Sequence, residues 1–394
     1  MSEFASSPSS TTDASDSASN RSGTRVADHN LDRSIDLQGE LNHWSDAKNL
    51  RVVNPRVAAL LKGEFLDAPP VWFMRQAGRY HRHYQALKKL YSFEQLCLQP
   101  ELAAEVALGP VLDFDFDLAI LFSDLPFPLM ALGMQLSYQP GPVLARSLLD
   151  LDHGVRSLRS TEEALSHLDF QAQAMRLTRS RLPKSKSLVG FVGGGFTLFT
   201  YAVEGAHRGA LEKSKSAVRE LKEFLPIIEE LVRENIRTQL NAGAELVMVL
   251  DTSAGELDPE SFARWVVPTL SRWADEFPGR LAYYTKGVTA DHYARHNVFH
   301  DGRLAGIGYD HRWDLARLLR ERRGGFVQGN FDQALLFLPT EEFKARFEVY
   351  LDSLKGLSRA HWMAGLGHGI LPGTPEEHVR YCVNRLRAWS KENA

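Results

Sequence analysis

The chain has 394 residues, 44% of them apolar and 10% aromatic, ample for a large buried core. A formal net charge of -3 supplies no basic field to attract nucleic acid or an anionic membrane surface, and no apolar run is long enough to span a bilayer, so a cytoplasmic protein is expected. The two cysteines, Cys97 and Cys382, are far apart and form neither a C-x-x-C pair nor a metal-ligand spacing, which excludes a disulfide scaffold and fits a reducing compartment.

Residues 1–48 stand apart. The stretch "SSPSSTTDASDSASNRSG" is rich in Ser, Thr and Asp and poor in large apolar side chains, the composition of a disordered, solvated tail. A transit peptide would share the serines but avoid acids, and Glu3, Asp13 and Asp16 argue against one. From residue 49 to 394 the composition is that of a globular domain. Length alone would suggest two domains, but a single α/β barrel reaches this size.

Eight short apolar runs follow in order: "VWFM" (71–74), "LAILF" (118–122), "LVGFV" (188–192), "LVMVL" (246–250), "LAYYT" (281–285), "LAGIGY" (304–309), "GFVQG" (325–329) and "HWMAGL" (361–366). Their length and their β-branched and aromatic content predict buried strands. Helical periodicity separates them. "KSAVRELKEFLPIIEELVRENIRTQLNAG" repeats apolar residues at i, i+3, i+4 and ends on Gly243. "DPESFARWVVPTLSRWADEF" opens with Asp258 and Glu260, the acids a helix start favours, and "TEEFKARFEVYLDSL" starts at Thr340 in the same way. Eight strand–helix units imply parallel pairing and close into a (β/α)8 TIM barrel. The rival, an open doubly wound sheet, would carry a dinucleotide-type glycine turn after its first strand, and "FMRQAGRY" is not one.

A barrel keeps its active site at the carboxyl ends of its strands. In this chain the positions after the runs hold Arg75 and Arg79, Asp124, Tyr201, the stretch Asp251–Gly255, Lys286, Asp310, Asn330 and His368. Two arginines and a lysine at one mouth fit an anionic ligand with several carboxylates or phosphates, which guanidinium grips in a planar, bidentate way. Asp124 directly follows "LAILFS" and needs a cation or several N–H donors. Arg75 could be that partner, or a ligand could bring the donors; both readings stay open. Tyr201 alone reads as a core aromatic and Thr252 as a turn residue. His368, with a glycine on each side, reads as an accessible ring. His81, His83, His292, His296 and His300 sit in polar segments and read as surface; His81 and His83 have no evident third ligand, so no metal site is expected.

The motifs "PVWFMRQAGRY", "LFSDLPFPLMALGM", "GFVGGGFTLFTYAVEG", "DTSAGELDPESF", "VQGNFD" and "GLGHGILPGTPEEHV" together resemble the uroporphyrinogen decarboxylase family, in that family's order and over roughly residues 49–392. The resemblance implies a (β/α)8 barrel, commonly a homodimer, that needs no cofactor. It implies a porphyrinogen substrate with eight carboxylates, whose four acetates become methyls, giving coproporphyrinogen for haem and porphyrin biosynthesis. Motif by motif it assigns pyrrole N–H recognition and cation stabilisation to Asp124. Carboxylate binding falls to Arg75 and Arg79, the same loop's backbone at Gln76, Ala77 and Gly78 also meets substrate, and Tyr201, Thr252 and His368 line the cleft. Four departures stand out: "HRHY" where the family has "LPEF" or "LPEY", "GGGFT" for "GAPFT", "GNFDQ" for "GNLDP", and Gly365 for Asn two residues before "GHG". They bear on cleft rigidity and rate. Two rivals remain: a corrinoid- or thiol-directed methyltransferase of the same superfamily, which would hold zinc through His and Cys, and a degenerate paralogue that binds without turnover.

Overall fold

The computed structural model describes residues 52–138, 141–206, 209–322 and 324–393; the expected tail, residues 1–48, lies outside them. Seven strands form one parallel sheet in chain order: β1 (Leu118–Ile120), β2 (Ser187–Gly193), β3 (Leu246–Leu250), β4 (Leu281–Tyr284), β5 (Gly306–Gly308), β6 (Phe326–Phe331) and β7 (Trp362–Leu366).

The first apolar run joins the two edges. Val71 bridges Ala364 of β7 in parallel. On that side Trp72 N donates to Ala364 O (3.1 Å) and Ala364 N to Pro70 O (2.9 Å); on the other, Asp117 N, just before β1, donates to Val71 O (3.0 Å). The ring is therefore closed and is the (β/α)8 barrel expected. "VWFM" supplies one bridging residue rather than a regular strand because its backbone is taken by side chains. Asp117 Oδ2 accepts from Val71 N (2.8 Å), and Gln76 Oε1 accepts from Phe73 N (3.3 Å). The other runs lie where predicted, with ends moved by at most two residues.

Both faces of these strands are buried, so their sequences are continuous apolar runs. In β3, Leu246, Met248 and Leu250 point into the barrel with Leu118, Ile120, Val189, Tyr284, Phe326 and Met363. Val247 and Val249 point outward to the helix layer, with Leu121, Leu188, Tyr283, Ile307 and Val327. The helix Pro55–Lys62 plugs the amino-terminal end, burying Val57 and Leu60 in the interior core. Asn54 Oδ1 caps it by accepting from Arg56 N and Val57 N, and Gly63 ends it in the left-handed region at φ 66°. With that end closed, the cleft can open only at the carboxyl ends of the strands.

The long amphipathic stretch becomes the helix Val218–Asn241, followed by Gly243 at φ 106°. The single helix expected over "DPESFARWVVPTLSRWADEF" is two, Pro259–Trp265 and Val267–Glu276. Pro268 has no N–H to donate and crowds the preceding turn, so the helix breaks at Val266. Asp258 caps the first half as predicted, Oδ1 accepting from Glu260 N (2.9 Å) and Ser261 N (3.0 Å). The third stretch is the helix Thr340–Asp352. Among the described residues no helix is long and apolar enough to cross a membrane.

Candidate active site

Arg75 sits where the chain leaves the barrel after Met74. Its φ is 61°, a left-handed conformation that L-residues avoid, and its side chain is exposed. The loop is held from beneath. Gln76 is wholly buried, with Nε2 donating to Leu118 O (2.8 Å) and its carbonyl accepting from Tyr80 Oη (2.8 Å). Ile370 N donates to Met74 O (2.9 Å), which binds the arginine loop to the histidine loop. The Arg75 side chain lies over Gly369, where a Cβ would come within 2.5 Å of Arg75 Cδ. That close approach explains the second glycine of "GHG". Gln76 thus supports the loop through its side chain, while Ala77 and Gly78 are half-buried and Arg79 is exposed. Neither Arg75 nor Arg79 forms an ion pair among the described residues.

Asp124 lies four residues beyond β1, half-buried, its Oδ1 accepting from Leu125 N (3.0 Å). Burial pushes its carboxyl above the ordinary carboxylate range, opposed by the nearby Tyr138 phenol, the Leu125 N–H and the charge of Arg75. The Tyr138 hydroxyl is buried without a partner of hydrogen-bond geometry, so its influence on Asp124 is one of proximity. Arg75 acts on Asp124 at a distance and forms no bridge with it. Of the two readings open in the sequence, the structural ion pair is not found among the described residues.

Tyr201 projects from the helix Gly195–Glu204 that follows β2. Burial and the Asp124 charge push its phenol up while Arg75 pulls it down. His368 follows β7 and is half-buried, its ring stacked on Tyr284 with centroids 5.8 Å apart and planes 16° apart. Thr252 is half-buried on the loop after β3. That loop is fixed by Asp251, which accepts from Thr197 N (3.1 Å) and Thr197 Oγ1 (2.6 Å), while Ser253 N donates to Thr197 Oγ1 (2.9 Å).

Two expected rim groups do other work. Asp310 is buried and paired with Arg312 (2.7 Å), and it also accepts from Gly287 N (2.8 Å), tying the loops after β4 and β5. Asn330 Nδ2 donates to Asp310 O (2.9 Å) and Trp313 O (2.8 Å). Lys286 stays exposed at the mouth.

The surface reading of the histidines fails at two of the five. His81 is buried, with Nε2 2.7 Å from Asp113 Oδ2 and its ring against Phe114. His292 is buried, Nδ1 accepting from Thr289 N and Nε2 facing Leu257 O. Polar neighbours in sequence masked partners supplied by distant helices. Among the described residues no group of three His, Cys, Asp or Glu side chains is placed to hold a metal, and Cys97 and Cys382 are both buried.

The departures from the family pattern are locally accommodated. In "HRHY", His81 pairs with Asp113 and His83 packs where a Cβ on Gly109 would meet its ring at 2.5 Å. In "GGGFT", Gly194 caps the helix Gly195–Glu204, and a Cβ there would lie 2.1 Å from Asp251 Cγ. In "GNFDQ", Asp332 caps the short turn Gln333–Phe337 by accepting from Ala334 N (2.9 Å). Gly365 leaves room that Gln328 fills, its Nε2 2.8 Å from where a Cβ would stand.

The site residues that sequence reasoning missed are Tyr138 beside Asp124 and Tyr284 beside His368. Tyr284 had a signal in "LAYYT": of two successive strand residues one must face the barrel interior. Tyr138 had none, since it lies beyond the strand and is brought in by packing against Phe93 and Phe127.

Comparison with known proteins agrees with this geometry. Among solved structures, a methyltransferase from Methanosarcina mazei is similar with a TM-score of 0.68, covering 86% of this chain and 99% of its own, at 20% identity, a likeness of fold alone. A uroporphyrinogen decarboxylase from Thermus thermophilus is 34% identical over 349 residues, 85% of this chain and 98% of its own length. The uroporphyrinogen decarboxylase of Schizosaccharomyces pombe is 32% identical over 356 residues, 86% and 98% of the two lengths. The family model described as uroporphyrinogen decarboxylase (URO-D) matches residues 53–389, nearly the whole described barrel, and the chain belongs to that family.

Proposed function

We propose that this chain is a uroporphyrinogen decarboxylase, a carboxy-lyase that converts the four acetate side chains of uroporphyrinogen III to methyls, giving coproporphyrinogen III, without an added cofactor. The observation that carries the reading is Asp124: a carboxyl whose pKa burial raises, near Arg75 and in no ion pair among the described residues, while Arg75 and Arg79 are exposed and likewise form no ion pair among those residues.

Loss of CO2 from a neutral pyrrole acetate would leave a carbanion. If a proton first adds to the ring carbon beside nitrogen, next to the one bearing the acetate, the ring becomes cationic and the acetate-bearing carbon accepts the electron pair of the breaking C–C bond as an exocyclic double bond. CO2 leaves, the exocyclic methylene takes a proton to become methyl, and the ring proton is lost. Each cycle consumes one proton and releases one CO2. Asp124 contributes by charge: accepting pyrrole N–H bonds, it interacts more strongly with the cationic ring than with the neutral one, which is differential stabilisation of the transition state. Partial removal from water strengthens that preference. Arg75 and Arg79, unclaimed by acids among the described residues, hold the substrate carboxylates, with Ala77, Gly78 and Thr252 at the same mouth. Tyr201 and His368 wall the cleft. The protein acts in this reading as a cytoplasmic homodimer whose only ligand is the small-molecule porphyrinogen.

The test is anaerobic incubation of purified chain with uroporphyrinogen and no added cofactor. Coproporphyrinogen and CO2 are expected in a ratio of one to four. Binding without CO2 release would replace this reading with that of a binding paralogue, and tightly bound stoichiometric zinc would favour the methyltransferase reading.

A further inference from the structure

His368 is held by a neighbour whose chemistry fixes where its proton lies. Tyr284, on the inward face of β4, is almost wholly buried. Its hydroxyl donates to Gly367 O at 2.8 Å and lies 2.9 Å from His368 Nδ1. A carbonyl oxygen can only accept, and a phenol has one proton. That proton is committed to Gly367, so the contact with His368 is satisfied only if Nδ1 is the donor. The neutral ring then carries its lone pair on Nε2.

The surrounding packing is built to allow this contact. Tyr284 reaches the histidine loop by lying across Gly308 of β5, where a Cβ would stand 2.9 Å from Tyr284 Cδ2 and 3.0 Å from Gln328 Oε1. Gln328 in turn lies against Gly365, two residues before the acceptor carbonyl. Gly308 on β5 thus gives the phenol its path, Gly365 on β7 seats the Gln328 side chain of the strand between them, and the stacked rings keep the imidazole from turning over.

We propose that Tyr284 is the positioning residue of His368: the relay His368 Nδ1–H to Tyr284 Oη to Gly367 carbonyl fixes the imidazole tautomer and orientation, so that Nε2 is the nitrogen that accepts or returns a proton. For its catalytic consequence, though not for the tautomer, this rests on the function proposed above.

The test is long-range proton–nitrogen correlation NMR of chain labelled with nitrogen-15 histidine, with the His368 signals assigned by their loss in His368→Gln. In the native chain near neutral pH the unprotonated, lone-pair signature belongs on Nε2 and the N–H signature on Nδ1. In Tyr284→Phe the acceptor is gone, and the ring shifts toward the Nε2–H tautomer usual in water. Gly308→Ala, which displaces the ring without removing its hydroxyl, gives the same shift and serves if Tyr284→Phe fails to fold. An Nε2–H ring in the native chain, or one unchanged in the folded Tyr284→Phe variant, overturns the proposal. Turnover is read separately: Tyr284→Phe lowers kcat by about ten-fold with KM little changed, as expected for losing one aligning hydrogen bond. A shifted tautomer with native kcat overturns the catalytic half. Absence of CO2 release from the native chain overturns the function and leaves the tautomer result standing.

Discussion

The backbone of Arg75 offers a way to separate what the site needs from what the fold needs. Its φ of 61° places an L-residue in the left-handed region, which disfavours it by about 1–2 kcal/mol. Replacing it by Ala removes the side chain and keeps that strain. Replacing it by Gly removes both, less about 0.5–1 kcal/mol for the extra freedom glycine has when unfolded. Arg75→Gly should therefore be more stable than Arg75→Ala by about 1 kcal/mol. For a domain the size of residues 53–389 that is a difference in Tm of about 1.4 °C, within reach of differential scanning calorimetry. Both variants lose the same charge-assisted contact to a substrate carboxylate, so kcat/KM should fall by about 10- to 150-fold in each. Equal melting temperatures would refute the claim that the loop is strained at this residue. Near-native kcat/KM in either variant would remove the Arg75 side chain from the site.

Three further outcomes follow from the same geometry. Asp124→Asn should fold with at least native stability, since burial disfavours its charge, while turnover drops by about a thousand-fold; near-native turnover would remove Asp124 from the mechanism. Arg79→Ala should raise KM more than it lowers kcat, because the exposed side chain makes no ion pair among the described residues; an unchanged KM in steady-state kinetics would count against its role. Glu245, buried at the other end of the barrel beside Ser187 and Arg179, has its carboxyl pushed by burial from 4.5 up to about 7. The folded chain therefore keeps this proton longer than the unfolded chain, so stability is full below pH 4.5 and is lost as pH rises toward 7, by on the order of 3 kcal/mol. Glu245→Gln cannot ionise and should flatten that slope in urea titrations from pH 5 to 8; parallel curves for the two proteins would contradict it.

Much of the barrel was legible in the chain because strands buried on both faces leave unbroken apolar runs, and "LVMVL" at 246–250 is one such strand residue for residue. Legibility failed where side chains compete for backbone. Val71 and Phe73 have their N–H groups taken by Asp117 and Gln76, contacts that cross 46 and 3 positions and carry no periodic mark. The proline break at Val266 was visible in principle, since Pro268 is in the sequence, but the apolar period runs across it undisturbed. The rim residues were found because barrel topology places every strand's carboxyl end at one mouth. Which of them are free for a ligand was not legible: Asp124 and Asp310 look alike in sequence. Only the fold shows that Arg312 claims one while the other has no ion pair among the described residues.

That distinction says where the chain tolerates unfavourable terms. At the amino-terminal end Asp117 is matched: it accepts from Val71 N and Asn54 Nδ2 and meets Arg56 at 3.4 Å, holding the first segment of the ring. At the carboxyl-terminal mouth the pattern reverses, with a left-handed arginine, a second arginine without an internal partner, and a desolvated carboxylate that no guanidinium bridges among the described residues. The strained Arg75 backbone and the partly desolvated Asp124 each destabilise the empty protein by about 1–3 kcal/mol, whereas Arg79 is exposed to water and costs little. In the function proposed above, a ligand bearing many carboxylates around a ring of N–H donors matches this mouth: its acids meet the arginines and its nitrogens compensate the desolvation of Asp124. On that proposal selectivity follows, since a molecule offering only carboxylates leaves Asp124 uncompensated, and one offering only N–H donors makes no use of the two arginines.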